Sequence, residues 1–338
     1  MDLTPSDEQV MLGDMVRRFL ADRQNTANMG RGPIPRDDWR ALGELGLFSF
    51  LLPETAGGMG GRPQDAVIIA EELGRSMAIT PLAETVLLCA GLIARRGSAG
   101  QIARWVQPVM QGEYILAYAG GGAIRYDGAC LDGQTHIVQH GMDASAFVVA
   151  LPERQGAVLV SAAADGLTRT PVRLADGTVA AEVRFDAVAA DPLEATANDL
   201  DTAIAHAELA TIAEMIGTMT TLYEQTVDYI QQRRQFGVAI GSFQVIQHRA
   251  ARLFVMLEQS RSMMLKAALV EEDERIRMVT AAKAYVADAA LRLAQDATQL
   301  HGGMGVTDEL PVGRGHRRLL VLSHLFGGAL AARARLAS

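Results

Sequence analysis

The part of the chain after Pro192 contains long helical segments joined by short connections. Residues 200–233, 242–273, 275–301 and about 312–335 each carry apolar residues at helical spacing with few helix-breaking residues inside. Helices of this length are stabilised mainly by burying an apolar face, and short connections place consecutive helices antiparallel. The sequence therefore predicts an antiparallel four-helix bundle.

Two regions with other patterns precede this bundle. Residues 1–111 indicate helices: Ser6 followed by Gln9 is a capping-box pattern, and "RDDWRALGELGLFSFLLP" predicts a second helix that runs to Pro53. Residues 112–192 contain short β-branched or alternating runs broken by turn residues, which predicts a small antiparallel β domain. We therefore predict an α+β chain with an N-terminal helical domain (1–111), a β domain (112–192) and a C-terminal bundle (193–338).

The composition narrows the classes of function. The net charge of −8 argues against a nucleic-acid partner, because phosphate-backbone binding needs a clustered basic surface. Cys89 and Cys130 lack paired spacing, so they predict neither a disulfide framework nor a zinc site. His136 and His140 stand four residues apart in a strand-like run, a spacing that does not predict a metal site.

The sequence also indicates the cellular compartment. The N-terminal residues lack a basic stretch followed by an apolar core, so they do not resemble a secretory signal. The most apolar window, residues 82–94, is too short to cross a bilayer and contains Glu84. We expect a cytoplasmic protein without a membrane span.

Two C-terminal motifs have ordinary structural interpretations when each is taken alone. "HGGMG" (301–305) lacks the preceding strand and the third spaced glycine of a dinucleotide fingerprint, so a helix C-cap with positive φ at Gly302 or Gly303 is favoured. "LYEQTVDYIQQRRQFG" ends a long helix with two arginines and a glycine, which is good C-terminal capping. Their order and spacing along the chain are more informative than either motif.

The motifs "PETAGGMGG", "EELGRS", "RRQFGVAIGSFQVIQH" and "QLHGGMGVTDELPVGR" follow one another through essentially the whole chain. On these motifs the chain resembles the acyl-CoA dehydrogenase family, whose fold has the same helix–β–helix order. The resemblance implies an FAD-dependent desaturation of an acyl-CoA thioester: a glutamate removes the α-proton and the flavin accepts the hydride. It also implies that FAD lies between two subunits of a dimer.

The resemblance assigns a set of cofactor-binding residues that reach across the dimer interface to the pyrophosphate and adenosine of the neighbour's FAD. A guanidinium at a helix end suits a pyrophosphate, and glycine backbone allows close approach of the adenosine. This set is kept here, and its members are Arg233, Phe236, Gln244, Gln299, Gly302 and Gly303.

The set that holds the flavin ring in a subunit's own β domain is lost. Where the family has a Thr-Glu-Pro motif followed by a Gly-Ser-Asp run, this chain has the shortened stretch "GGGAIRYDGACLDG". The next strand of the family carries a tryptophan and a threonine against the flavin, and the matching residues here are Ile137 and Gln139. The resemblance therefore implies a defective flavin site in this subunit.

The family places its catalytic glutamate at one of two positions, and neither holds an acid here. The commoner position follows the "PV" of "ELPV" by about fifteen residues and corresponds to Phe326, within "SHLFGGALAA". The other lies on the long helix before "RRQFG" and corresponds to Ala207, with Glu208 where an arginine normally follows. One step along a helix turns a side chain by about 100°, so Glu208 is only a weak alternative base. A solvated or interhelix ion-pair role is favoured for it.

Three functions stay open at this point. The favoured one is the shorter degenerate subunit of a heteromeric acyl-CoA dehydrogenase, in a hetero-oligomer such as a heterotetramer, which completes the FAD site of a partner subunit. The second is a self-sufficient homomeric enzyme with a non-standard base, Glu208 or Glu214. The third is a flavin-free acyl-CoA-binding or scaffold homodimer, which the kept set disfavours because such a protein needs no grip on a pyrophosphate.

Overall fold

The computed structural model describes residues 5–23, 29–152 and 156–337. The chain divides into two compact units. The first unit combines described residues within Met1–Pro33, Pro63–Ile79 and Glu208–Ser338, and the second combines those within Ile34–Arg62 and Thr80–Ala207. The predicted order of helices, small β region and long helices is confirmed, while the boundaries of the three predicted domains stay a prediction.

The first helices largely follow the sequence patterns. They are α1 (Asp7–Arg23), α2 (Arg36–Glu44), α3 (Leu47–Leu51) and α4 (Pro63–Arg75). The capping box before α1 is confirmed, because the Ser6 amide donates to Gln9 Oε1 at 3.1 Å and the Gln9 amide donates to Ser6 Oγ at 3.3 Å. The prediction of one continuous helix up to Pro53 is wrong. Gly46 adopts φ 79° between α2 and α3, a conformation that glycine reaches without steric cost.

The apolar window of the sequence forms a π-helix, Leu82–Ala90, that continues into α5 (Gly91–Arg96). A second helical stretch follows, with α6 (Ala99–Gln101), a π-helical turn (Ile102–Val106) and α7 (Gln107–Met110). Thr85 Oγ1 donates to the carbonyl of Leu116 at 2.7 Å and accepts from its amide at 3.2 Å. This pair of bonds fixes the π-helix to the first β-strand.

In the part of the chain that the structure describes, eight strands form two four-stranded sheets. The strands are β1 (Leu116–Ala119), β2 (Ala123–Tyr126), β3 (Cys130–Val138), β4 (Ala146–Ala150), β5 (Ala157–Ser161), β6 (Leu167–Arg173), β7 (Val179–Ala189) and β8 (Asp191–Leu193). One sheet has the order β1-β4-β5-β8 and the other β2-β3-β7-β6, and the β1–β4 pair is parallel while the remaining pairs are antiparallel. Apolar residues of both sheets, among them Phe147, Val158 and Phe185, share one buried core.

Long helices follow the β region. They are α8 (Ala197–Gln232), α9 (Gln244–Leu269), α10 (Glu272–His301), α11 (Pro311–His324) and α12 (Gly328–Ala337), with a small hairpin of β9 (Arg234–Gln235) and β10 (Val238–Ala239) between α8 and α9. α10 contacts α9, α11 and α12. Its buried face is rich in alanine, and small side chains let neighbouring helices approach closely.

The predicted fourth helix of the bundle, about 312–335, is wrong as a single element. A kink at Leu325–Gly327 separates α11 from α12, and Phe326, Gly327 and Gly328 have φ values of 56°, 97° and 69°. Gly327 and Gly328 adopt positive φ without steric cost, because glycine lacks a Cβ atom. Apolar periodicity continues through the kink, so periodicity alone does not reveal it.

The same stretch has the length and composition of a membrane-spanning helix. Pro311–Ala337 has a mean hydropathy of 1.3 in its most apolar window, and 33% of that window is buried. The kink leaves helices of 14 and 10 residues, each shorter than the ~20 residues that a bilayer crossing needs. The stretch is therefore only a weak indication of a membrane span.

α4 and α8 cross at a pair of glycines. A Cβ atom at Gly74 would lie 2.1 Å from the carbonyl oxygen of Glu214, and one at Gly217 would lie 2.0 Å from that of Glu71. Thr218 Oγ1 also donates to the Gly74 carbonyl at 3.1 Å. Any side chain at either glycine would therefore force the two backbones apart.

We predict that Gly217→Ala lowers the free energy of unfolding by about 1–3 kcal/mol, because the added methyl group overpacks the crossing. Urea unfolding followed by circular dichroism measures this change. Gly100→Ala is the matched control, since its Cβ would approach only Ser98 Oγ at 3.9 Å. Equal stability of the two variants would contradict the close crossing.

Candidate cofactor half-site and vacant base positions

The "RRQFG" motif forms an exposed turn after α8. Phe236 and Gly237 have φ values of 54° and 81°, the pair of left-handed residues that a type I′ hairpin turn requires. The Phe236 ring is 90% exposed and meets the edge of the Phe243 ring, with centroids 6.3 Å apart. Arg233, directly before the hairpin, is exposed as well. The turn therefore presents a cation and an aromatic ring on one surface.

Contacts between α8, α9 and α10 gather three helix ends. The Tyr229 ring, in the last turn of α8, stacks on His301 at the end of α10 with centroids 4.4 Å apart. Arg249, near the start of α9, forms an ion pair with Asp296, near the end of α10. The C-terminal ends of α8 and α10 and the N-terminal end of α9 therefore lie at the same end of the first unit.

The predicted cofactor-binding residues occupy this end. Gln244 is the first residue of α9, and Gln299 lies in the last turn of α10, where its carbonyl accepts from the Gly302 amide. Every member of the predicted set is exposed: Arg233, Phe236, Gln244, Gln299, Gly302 and Gly303. We refer to these six residues as the half-site.

The glycines of "HGGMG" leave open space at the half-site. Gly302 ends α10 with φ 62° and ψ −142°, so the predicted C-cap with positive φ is confirmed. A Cβ atom at Gly302 or Gly303 would meet nothing within 4 Å, whereas one at Gly305 would lie 2.4 Å from the Thr298 carbonyl. The first two glycines thus leave room for a ligand, and the third serves packing. A guanidinium, an aromatic ring, two amides and open backbone fit the pyrophosphate and adenosine of FAD.

The buried side chain of His301 stabilises the C-terminal end of α10. Its ring is buried, and burial lowers its pKa below the ordinary value, although a hydrogen bond with the Ala297 carbonyl acts in the opposite direction. Nδ1 lies 2.8 Å from that carbonyl oxygen; a carbonyl can only accept, so Nδ1 carries the proton. The imidazole thereby fixes the last turn of α10.

The stretch "GGGAIRYDGACLDG" begins with a tight glycine turn and continues into β2 and β3. Gly120 to Gly122 connect β1 to β2, with φ values of 92° at Gly121 and 101° at Gly122. A Cβ atom at Gly122 would lie 2.3 Å from the Gln134 carbonyl, and one at Gly120 would lie 2.2 Å from the Tyr118 ring. The turn therefore packs closely against β3 and the Tyr118 ring, which leaves no room for side chains at Gly120 and Gly122.

The two residues that match the family's tryptophan and threonine lie at an irregular end of β3. The register between β3 and β7 shifts between Thr135 and Val138. Ile137 is 57% exposed with φ 52°, and Gln139, just beyond the strand, is buried. Positive φ is rare for a β-branched residue, so the backbone here departs from a regular strand.

Neither base position carries a proton acceptor. Ala207 is fully buried in α8, and its methyl group has no acid–base chemistry. Phe326 lies half-buried in the kink between α11 and α12. The structure therefore places an apolar side chain at each position that the family resemblance assigns to the glutamate.

Glu208 forms a buried ion pair with the C-terminal helix. Its side chain is 1% exposed, and its Oε1 lies 2.6 Å from Nη2 of Arg335 in α12. Lys283 of α10 is fully buried nearby, and its Nζ donates to the Leu322 carbonyl at 2.9 Å. Burial lowers the pKa of Lys283 to about 8, with Glu208 acting to raise it and Arg335 to lower it further. These three charged groups, which we call the α12 cluster, join α8, α10 and α12.

The second candidate base, Glu214, is also paired. Its Oε1 lies 2.8 Å from Nε and 2.7 Å from Nη2 of Arg318 in α11, and both side chains are buried. The two guanidinium nitrogens contact the same carboxylate oxygen, which holds the Glu214 side chain against α11. Both glutamates that could replace the missing base are thus held by arginines.

The fold has the helix–β–helix order of a class of flavin-dependent oxidoreductases. The model of the acyl-CoA dehydrogenase N-terminal domain matches residues 6–113, and that of the C-terminal domain matches residues 198–336. The chain belongs to the acyl-CoA dehydrogenase family, whose members are oxidoreductases that act on CH–CH donors and use FAD.

Known proteins resemble the chain along nearly its full length. Acyl-CoA dehydrogenase IpdE2 of Mycobacterium tuberculosis is 29% identical, with 91% of this chain and 89% of that protein covered. The structure of the Tcur3481-Tcur3483 steroid ACAD is 28% identical, with a TM-score of 0.89 over 98% of this chain and 97% of the other. A chain in the structure of the ChsE4-ChsE5 complex from Mycobacterium tuberculosis is 25% identical, with a TM-score of 0.91 over 100% of this chain and 98% of the other.

The sequence did not predict Lys283 or the arginine partners of the two glutamates. Arg335 lies 127 residues from Glu208, and Arg318 lies 104 residues from Glu214. The sequence did contain one signal for a buried cation at Lys283. This residue is one of only two lysines in the chain and lies on the alanine-rich side of a predicted helix.

We predict that Lys283 makes stability depend on pH in the alkaline range. Its folded pKa of about 8 lies below its ordinary value, so between pH ~8 and ~10.5 the unfolded chain binds more protons than the folded one. The free energy of unfolding therefore gains up to about 3 kcal/mol from this group as the pH rises through that range.

The measurement is urea unfolding from pH 7 to pH 10.5. Lys283→Met should remove this increment, whereas Lys266→Met, which changes the other, exposed lysine, should retain it. The same pH slope in wild type and Lys283→Met would contradict the role of Lys283.

We predict that Glu208→Gln destabilises the fold by about 3 kcal/mol, because it leaves the cations of Lys283 and Arg335 without their carboxylate. Adding Arg335→Met to this variant should recover part of the loss. Glu224→Gln is the control within α8, since its pair with Arg75 is exposed and exposed pairs contribute about 0–1 kcal/mol. Losses of similar size in Glu208→Gln and Glu224→Gln would refute the α12 cluster.

Proposed function

We propose that this chain is the degenerate subunit of a heteromeric acyl-CoA dehydrogenase and that it completes the FAD site of a catalytic partner subunit. The proposal rests mainly on the lack of a catalytic base. The two positions expected to hold the glutamate are occupied by Ala207 and Phe326. The two alternative glutamates, Glu208 and Glu214, are paired with arginines. Both carboxylates are buried and held by these ion pairs, so neither is positioned to accept an α-proton. The chain therefore does not catalyse at its own site.

The half-site contacts the pyrophosphate and adenosine of the FAD that the partner subunit binds. The Arg233 guanidinium offers two parallel N–H groups to a pyrophosphate, and the exposed Phe236 ring offers a face for an adenine. Gln244 and Gln299 add amides, while Gly302 and Gly303 let the backbone approach. FAD, when bound, accepts the hydride; the residues of this chain bind and orient it.

The similar structures support a heteromeric assembly. The ChsE4-ChsE5 complex and the Tcur3481-Tcur3483 steroid ACAD each name two chains. We propose that this chain likewise pairs with a full acyl-CoA dehydrogenase subunit, as a heterotetramer in the cytoplasm. The substrate we propose is an acyl-CoA thioester, and a steroid acyl group is the first to test because a similar enzyme is a steroid ACAD.

We predict that the isolated chain is colourless and that co-expression with a full acyl-CoA dehydrogenase from the same genome gives a yellow, active complex. Arg233→Gln in this chain should weaken FAD binding by the complex about tenfold, since a charge-assisted contact to phosphate is lost. Dialysis against potassium bromide followed by FAD titration measures that affinity.

The control is Arg173→Gln, which removes an exposed arginine on β6, far from the half-site in sequence. It should leave FAD affinity unchanged. Stoichiometric FAD on the isolated chain, together with acyl-CoA turnover by that chain alone, would show a self-sufficient enzyme and overturn the proposal.

A further inference from the structure

Tyr229, in the last turn of α8, contacts both parts of the half-site. Its carbonyl accepts from the Arg233 amide at 2.8 Å, and its hydroxyl donates to the His301 carbonyl at 3.4 Å. Arg233 carries the cation of the half-site, and His301 directly precedes Gly302. Tyr229 therefore joins the segment that leads into the hairpin to the segment that ends α10.

The hairpin that carries Phe236 depends on the same backbone position. The Ile240 amide donates to the Arg233 carbonyl at 2.8 Å, which closes the base of the hairpin. The Arg233 backbone is thus bonded to the last turn of α8 on one side and to the end of the hairpin on the other. A displacement of Tyr229 would therefore move Arg233 and Phe236 together.

His301 gives Tyr229 a fixed surface on the side of α10. Its side chain is 4% exposed, and its Nδ1–H donates to the Ala297 carbonyl at 2.8 Å. The Tyr229 ring stacks on the imidazole with ring centroids 4.4 Å apart and planes inclined by 25°. Because the hydrogen bond sets the orientation of the imidazole, the stack sets the position of the tyrosine ring relative to α10.

Both side chains spend their contacts within the chain. His301 is buried, and Tyr229 is half-buried with its hydroxyl bonded to a backbone carbonyl. Arg233, Gly302 and Gly303 are exposed on the two sides of the stacked pair. The pair can therefore act on a ligand through the exposed groups that it holds.

We propose that Tyr229 and His301 are positioning residues, which keep Arg233 at a fixed spacing from the open backbone of Gly302 and Gly303. This inference rests on the proposed function, in which these exposed groups bind the pyrophosphate and adenosine of one FAD. The two parts of that ligand are covalently joined, so the groups that bind them must keep a matching spacing. Holding that spacing before binding avoids the entropic cost of ordering the groups on binding.

The test measures the FAD affinity of the complex between this chain and its co-expressed partner by FAD titration after bromide dialysis. Tyr229→Leu and His301→Asn should each weaken FAD binding about fivefold, because the ring stack is lost. Asparagine retains an N–H donor for the Ala297 carbonyl, so His301→Asn removes the ring and keeps the hydrogen bond. Tyr229→Phe retains the ring and loses only a long hydrogen bond, so its FAD affinity should stay within about twofold of wild type.

A double variant separates positioning from a general loss of stability. In the Arg233→Gln background, Tyr229→Leu should weaken FAD binding by less than about twofold, because the group that Tyr229 positions has already been removed. Tyr114→Leu is the matched control, since it removes a ring contact with Trp105 in the second unit, with centroids 6.1 Å apart. It should lower the urea midpoint of the chain and leave FAD affinity unchanged.

The outcomes distinguish this inference from the proposed function. If Arg233→Gln weakens FAD binding while Tyr229→Leu and His301→Asn bind FAD as Tyr114→Leu does, the positioning role is overturned and the proposed function stands. Fully additive losses in the Arg233→Gln and Tyr229→Leu double variant also overturn the positioning role. If Arg233→Gln itself binds FAD as wild type does, the half-site assignment fails, and the positioning role fails with it.

Discussion

A buried ion pair between Glu208 and Arg335 anchors the C-terminal helix to α8. It removes from solvent the carboxylate next to the vacant position at Ala207 and gives that carboxylate a permanent counter-charge. The Glu208 carboxylate is therefore held against α12 and away from solvent. The same pair ties α12 to α8, and with Lys283 it fixes the helix that follows the kink at Phe326. The helix after Phe326, one of the two expected base positions, is therefore held in place by Glu208, the residue next to the other position, Ala207.

The half-site and the flavin-ring region of the β domain lie on different kinds of structural element. The half-site lies on exposed helix ends and a hairpin turn, where six side chains or glycines need only local geometry. The flavin-ring region of the β domain would need side chains aligned along strands, and there the chain has a glycine turn and an irregular end of β3. A subunit that has lost its own site can therefore keep a surface that serves a neighbour. Under the proposed function, the residues of this chain would bind and orient FAD, and the partner would transfer the proton.

Local signals in the sequence predicted local structure well. The capping box at Ser6, the positive φ of Gly302 and the first three long helices depend on neighbouring residues, and the structure confirms them. Breaks such as Gly46 and Phe326 were not predicted, because apolar periodicity continues across them and glycine also occurs inside helices. The predicted site residues gather at one end through Tyr229 and Arg249, contacts that sequence alone does not show. The partners of Glu208 and Glu214 lie over a hundred residues away, so only the fold identifies them.

The amount of FAD per chain in the native complex tests the central claim most directly. The complex is isolated from its source through a tag on this chain, and bound flavin is quantified by absorbance against the two subunit concentrations. The account predicts one FAD for each pair of this chain and its partner, because only the partner holds the flavin ring. Two FAD molecules per pair, or one per chain in a homomer of this chain, would contradict it.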